Sequence, residues 1–227
     1  MRLLRGRAPD PETDFEQTRK MADRAAADRE PALRVWRPHR QIAFGCRDTT
    51  SDGYDRACDV ACDRDYAVIE RAVGGRAVAY TGATVSFALA EPTEDPRGTI
   101  NDRYEWATAA VKRALDDCGV NAQNGEPDAS FCPGTHSLQT EGKIAGLAQR
   151  VHQSVAVVGG IVVVRDHEAI ADVLAPIYTA LDVPLDPESV GSVARAGGTN
   201  DPEQVIAALE TALVDGRDLS VSAIRET

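Results

Sequence analysis

Lysine is almost missing from this sequence. Among 227 residues only Lys20, Lys112 and Lys143 carry an ammonium, and the remaining basic residues are arginines. Basic residues number 25 against 36 acidic ones, a formal charge of −11. No basic stripe is present to replace the counterions of a nucleic acid, which excludes that class of partner. Long apolar runs are missing too. The most apolar uncharged run, residues 154–164, is too short to span a bilayer, so no membrane partner is expected. The start, Met1-Arg-Leu-Leu-Arg-Gly-Arg7, returns to charge at once and has no secretory apolar segment. The five cysteines, Cys46, Cys58, Cys62, Cys118 and Cys132, cannot all pair, which fits a reducing cytoplasm. Cys58 and Cys62 stand four apart without the second pair that a structural zinc site uses, so no metal is expected.

What is present is ordinary for a soluble globular protein: 43% apolar and 27% charged residues. Residues 1–227 are expected to form a single domain with its core over about 30–215. The excess of Asp over Glu and of Arg over Lys resembles proteins of salt-loving organisms with GC-rich genomes, as in the haloarchaea. At molar salt the Debye length is ~3 Å, so recognition would rest on close contacts.

Helical spacing predicts helices over 14–28, capped by Asp14, and over 52–64, 101–118, 167–181 and 201–214, the last capped by Asp201-Pro202. Strand-like runs fall at 33–38, 41–45, 66–70, 77–80, 84–89, 136–140, 143–151 and 155–164. Residues 91–98 and 121–135 read as loops. Consecutive strands with hairpin-length links, and helices mainly toward the two ends, predict an α+β fold with a mixed, mostly antiparallel sheet.

Two constellations can carry chemistry. Arg71-Ala-Val-Gly-Gly-Arg-Ala-Val78 lies between two strands. Its paired glycines, Gly74 and Gly75, let backbone approach a ligand and expose N–H donors to an anion or carbonyl. It has neither P-loop spacing nor a following helix, and the plain alternative is a glycine turn. The second is Phe131-Cys-Pro-Gly-Thr-His-Ser137, followed by Gly142-Lys-Ile-Ala-Gly146. Cys132 before Pro133-Gly134 sits on a loop, and Lys143 follows a tight turn that can fold back toward it. A neighbouring ammonium favours the nucleophilic thiolate. Nucleophile and activating charge are the minimum for covalent acyl transfer. The plain alternatives are a small buried cysteine and a surface lysine. His136, four residues from Cys132, is a weaker candidate base.

Together, in this order and about 70 residues apart, these two motifs resemble the lipoate–protein ligase and octanoyltransferase catalytic domain, a family shared with the biotin protein ligases. The run 33–38 with Phe44-Gly45 resembles the family's first hairpin. The loop around Cys132 with the Lys143 motif is most similar to the cysteine-dependent octanoyl transferases. The resemblance implies the fold of the class II aminoacyl-tRNA synthetase and biotin synthetase group. It implies that Cys132 forms an acyl thioester and that Lys143 lowers its pKa and holds the acyl carbonyl. Gly74, Gly75, Ala77 and Val78 would line the acyl tunnel with Arg71 close by, Gly134 would offer an oxyanion donor, and Gly146 belongs to the lysine motif. The implied partners are lipoyl domains and the glycine cleavage carrier protein, with an octanoyl or lipoyl group as substrate and no cofactor. Three departures stand out. Arg76 replaces the third glycine usual in the ligases and would occupy the adenylate pocket or contact a phosphate. Ser137 stands where family members often carry an acid. The accessory domain of two-domain ligases is not expected, so a self-sufficient ligase would need an accessory subunit. The competing readings are an ATP- and Mg-dependent lipoate–protein ligase and a non-catalytic acyl-binding subunit.

Overall fold

The computed structural model of the protein describes all residues except 72–74, 96–98, 153 and 225–227. Its larger sheet has eight strands. In chain order they are β1 (Arg2–Arg5), β2 (Ala32–Trp36), β6 (Thr84–Pro92), β7 (Gln123–Asn124), β8 (Ser137–Gln139), β9 (Lys143–His152), β10 (Val155–Val163) and β11 (Ser220–Ala223). A smaller sheet holds β3 (Gln41–Phe44), β4 (Ala67–Glu70) and β5 (Val78–Tyr80). Five helices pack on these sheets: α1 (Pro11–Asp28), α2 (Tyr54–Cys62), α3 (Ile100–Asp117), α4 (His167–Ala180) and α5 (Pro202–Val214).

The larger sheet runs β11-β1-β2-β6-β10-β9-β8-β7, antiparallel from β2 to β7 and parallel only where β1 joins β2 and β11. The smaller runs β4-β3-β5. This is the expected α+β class with a mixed, mostly antiparallel sheet. Strand β6 is central and buried from Thr84 to Ala90. Its alternation divides the core: Val85, Phe87 and Leu89 face the cluster built with α3 and α5, while Ala88 and Ala90 pack with Met21 and Ala25 of α1. A further cluster joins the small sheet to α2 and α4.

Several expectations are corrected. Asp10, not Asp14, caps the first helix: its side chain accepts from the Thr13 amide, and Pro11 takes the first helical position. Asp14 is buried instead, holding the fully buried guanidinium of Arg34. The runs at 33–38 and 41–45 are not a hairpin, because β2 and β3 lie in different sheets. Strand β6 continues to Pro92 by pairing with β10, into the stretch read as loop. Strands β1 and β11 were not expected, and Leu3 is fully buried, so the packed core begins well before residue 30. Among the described residues no helix is long and apolar enough to cross a membrane.

Candidate active site

The two sheets meet where the loop before β8 carries Phe131 and Cys132. Phe131 is buried in the cluster with α4 and the small sheet, and this anchors the loop. Cys132 is half-buried with φ of 42°, in the left-handed region that costs an ordinary residue about 1–3 kcal/mol. Two side chains hold it there. Its amide donates to the Tyr178 hydroxyl at 2.6 Å, and that hydroxyl donates on to the Ala77 carbonyl at 3.0 Å. Its carbonyl accepts from Lys143 Nζ at 2.7 Å.

Lys143 opens β9 immediately after a close backbone crossing. A Cβ on Gly142 would stand 2.7 Å from the Gly191 nitrogen, so the turn before the lysine has no room for a side chain. Lys143 is 1% exposed, and its ammonium spends its three protons on Cys132 O, on Phe131 O at 2.9 Å and on Glu126 Oε2 at 2.8 Å. Glu126 comes from the loop between β7 and β8. Its other oxygen accepts the Gly134 amide at 2.8 Å, and Ser137 Oγ donates to Oε2 at 2.7 Å. Burial would raise the Glu126 carboxyl, but the hydrogen bonds from Lys143 and Ser137 outweigh it and hold the group below its ordinary value.

From the other side, the segment entering β5 closes on the sulfur. The Arg76 amide points at Cys132 Sγ at 3.4 Å, and Arg71 Nη2 lies 3.9 Å from it. Gly75 has φ of 101°, and a Cβ there would be 2.8 Å from Sγ, so only glycine leaves the sulfur uncovered. Burial disfavours the Arg71 charge, yet Tyr80 and Cys132 outweigh it and raise the guanidinium above its ordinary value. Arg71 also donates to the Arg76 carbonyl, and among the described residues its buried Nε has no partner. The Arg76 side chain turns away to Asp48, which is fully buried and accepts the Gly45 amide. Negative charge developing on the sulfur, or on an acyl oxygen beside it, thus meets one amide and one guanidinium.

Of the residues singled out in the sequence, Cys132, Lys143, Arg71, Gly75 and Arg76 converge. Ala77 and Val78 are buried where the chain enters β5, and Gly146 lies against the Lys143 stem. Gly74 lies outside the described residues. The Gly134 amide is taken by Glu126, so the donor beside the sulfur is the Arg76 amide instead. Lys143 grips the backbone of the cysteine, with all three protons engaged. His136 stacks on Tyr104 with ring centroids 3.6 Å apart, and burial lowers its pKa. Cys58 and Cys62 lie on α2, and among the described residues no three His, Cys, Asp or Glu side chains gather as a metal would need. Sequence reasoning missed Glu126, Tyr178 and Asp48.

A buried lysine and a cysteine loop thus stand together in an α+β domain of two sheets. Residues 10–214 match the model of the lipoyl protein ligase A/B catalytic domain, and the chain belongs to that family. The octanoyl-[GcvH]:protein N-octanoyltransferase of Geobacillus kaustophilus is 29% identical over 126 residues, 55% of this chain and 44% of that protein. The lipoyl-[GcvH]:protein N-lipoyltransferase of Listeria monocytogenes is 25% identical over 149 residues, 65% of this chain and 54% of that protein. The chain therefore spans about half the length of these curated relatives. The fold matches a lipoate-protein ligase A bound with ATP at a TM-score of 0.77 and 19% identity, covering 99% of this chain and 89% of that one. It also matches a bipartite archaeal lipoate protein ligase of Thermoplasma acidophilum, at a TM-score of 0.69 and 18% identity over 99% of this chain and 87% of that one.

Proposed function

We propose that this protein is an acyltransferase of protein lipoylation that works through a Cys132 thioester. The observation that carries the reading is the convergence of the Arg76 amide and Arg71 on Cys132 Sγ, above a cysteine backbone held by Lys143. In the first step the sulfur bonds to the acyl carbon of an octanoyl- or lipoyl-lysine on the glycine cleavage carrier protein. The C–N bond breaks and the thiol proton leaves with the lysine amine. In the second step a lysine of a lipoyl domain in a 2-oxoacid dehydrogenase complex attacks the thioester. A new amide forms, and the cysteine recovers its proton from the attacking amine. Drawing a thioester from an amide is uphill, so the intermediate depends on donors fixed beside the acyl oxygen. The Arg76 amide and Arg71 fill that role. No step needs ATP, and Arg76, which stands where the ligases usually carry glycine, is tied to Asp48.

Intact-mass spectrometry after incubation with an octanoylated carrier protein, without ATP, tests this directly. The wild type is expected to gain a hydroxylamine-sensitive octanoyl adduct, and Cys132→Ala to gain none. An adduct absent from both proteins, with transfer appearing only on addition of ATP, Mg and free lipoate, makes the protein a ligase instead.

A further inference from the structure

We propose that Glu126 is the positioning residue of this site: it fixes Lys143 and closes the loop that holds Cys132 in its left-handed conformation. The proposal rests on the thioester reading above and assigns a function to a side chain which that reading leaves unused. Three observations carry it. First, one carboxylate gathers three donors that span the loop: the Gly134 amide, the Ser137 hydroxyl and Lys143 Nζ. Second, the remaining two protons of Lys143 go to consecutive main-chain carbonyls, Phe131 O and Cys132 O. The ammonium is a three-way joint, and among the described residues Glu126 supplies its only anionic arm. Third, Lys143 is buried, and a buried ammonium without a counter-charge carries a heavy desolvation penalty. Without Glu126 the buried ammonium would move toward water. That movement releases the Cys132 carbonyl while Tyr178 still holds the amide, so the sulfur swings away from Arg76 and Arg71.

The same geometry says where a substitute carboxylate would work. Ser137 Oγ and Lys143 Nζ both bond to Glu126 Oε2, at 2.7 and 2.8 Å. A carboxylate on residue 137 therefore reaches the ammonium from the neighbouring strand.

The test compares wild type, Glu126→Ala, Glu126→Asp and the double variant Glu126→Ala/Ser137→Asp in the full chain. Two readouts are used: saturation kinetics of acyl uptake from an octanoylated carrier protein, and the iodoacetamide alkylation rate at Cys132, with the exposed Cys46 as internal reference. Glu126→Ala is expected to lower the rate of acyl uptake at saturating donor by on the order of 10- to 100-fold, with KM little changed, as for a displaced reacting group. Cys132 alkylation should change relative to Cys46, and the double variant should recover to within a few-fold of wild type. Wild-type uptake and alkylation in a folded Glu126→Ala protein would overturn the proposal. So would a folded double variant that stays as slow as Glu126→Ala. Should Glu126→Ala fail to fold, Glu126→Asp and the double variant decide: recovery in the double variant supports the assignment, and wild-type behaviour of Glu126→Asp with a dead double variant rejects it. The alkylation readout separates the two readings. If wild type takes up no acyl group but Cys132 alkylation still tracks Glu126, the thioester reading fails and the positioning role stands.

Discussion

Tyr178 shows how single side chains set the geometry of this site. Its hydroxyl accepts from the amide of Cys132 and donates to the Ala77 carbonyl, joining the cysteine loop to the residue just before β5. Burial raises its pKa, and the nearby Cys132 adds to the effect, so the phenol stays protonated and keeps its donor. Tyr178→Phe removes this bridge and leaves the half-buried Cys132 amide and the buried Ala77 carbonyl unpaired, a loss of about 1–3 kcal/mol. Urea denaturation should show that loss together with slower acyl uptake by Cys132. A variant of unchanged stability and rate would mean that the loop holds its conformation unaided. Glu126 gives a pH-dependent counterpart. Its folded pKa lies below the ordinary 4.5, so its contribution to stability is fully present above that value. The contribution fades as pH falls through the folded pKa. The difference in unfolding free energy between wild type and Glu126→Gln should therefore be level near neutrality and shrink below about pH 4.5. A difference that grows on acidification would contradict the hydrogen-bonding role of the carboxylate.

At the level of elements, the first helix separates a cap from a buried ion pair. Asp10 is exposed and caps α1, whereas Asp14 accepts from Arg34 Nη2 at 2.5 Å and from the Trp36 indole at 3.0 Å, tying α1 to β2. Asp10→Ala should cost only the modest loss of an exposed cap. Asp14→Ala should cost about 3–5 kcal/mol, because it leaves a buried guanidinium without its partner. Chemical denaturation of both variants checks the order, and equal losses would place the two aspartates on a par. The same helix shows what the sequence could convey. Its C-terminal end was legible from spacing, and the start of α5 from Asp201-Pro202, because caps and periodicity are local. The start of α1 was misread because Asp10 and Asp14 both suit a cap, and only burial tells them apart. Strands β2 and β3 read as a hairpin because four residues link them, yet they part into two sheets, a choice made by long-range packing. Strands β1 and β11 are four residues each, too short to show a period. Cys132, Lys143 and Arg71 were legible because their motifs are contiguous. Glu126 stands in a loop without periodicity, and Tyr178 reads as one more core residue of α4. The contacts that give both residues a part in the site are made across the chain.

At the scale of the whole molecule, charge is the dominant constraint. An excess of 11 negative charges on a chain of 227 residues makes the folded state repel itself, and the few lysines leave little to offset it. Much of the arginine is already engaged: Arg5 with Glu210, Arg34 with Asp14, Arg76 with Asp48 and Arg217 with Glu91. Added salt shortens the Debye length from ~10 Å at 0.1 M to ~3 Å at 1 M, which screens repulsion between exposed carboxylates. Buried pairs such as Arg34–Asp14 are screened much less, so screening removes more repulsion than attraction. The melting temperature should rise between these two NaCl concentrations by at least about 2–4 °C, the change that about 1 kcal/mol makes in a chain of this size. Near the isoelectric point of about 4.8 the net charge vanishes, and the salt-induced rise should shrink with it. Calorimetry at neutral pH and near the isoelectric point measures both effects. A melting temperature indifferent to salt at neutral pH would mean that the carboxylates are already balanced locally by their arginine partners. A rise of equal size at both pH values would assign the effect to general salting-out of apolar surface rather than to charge.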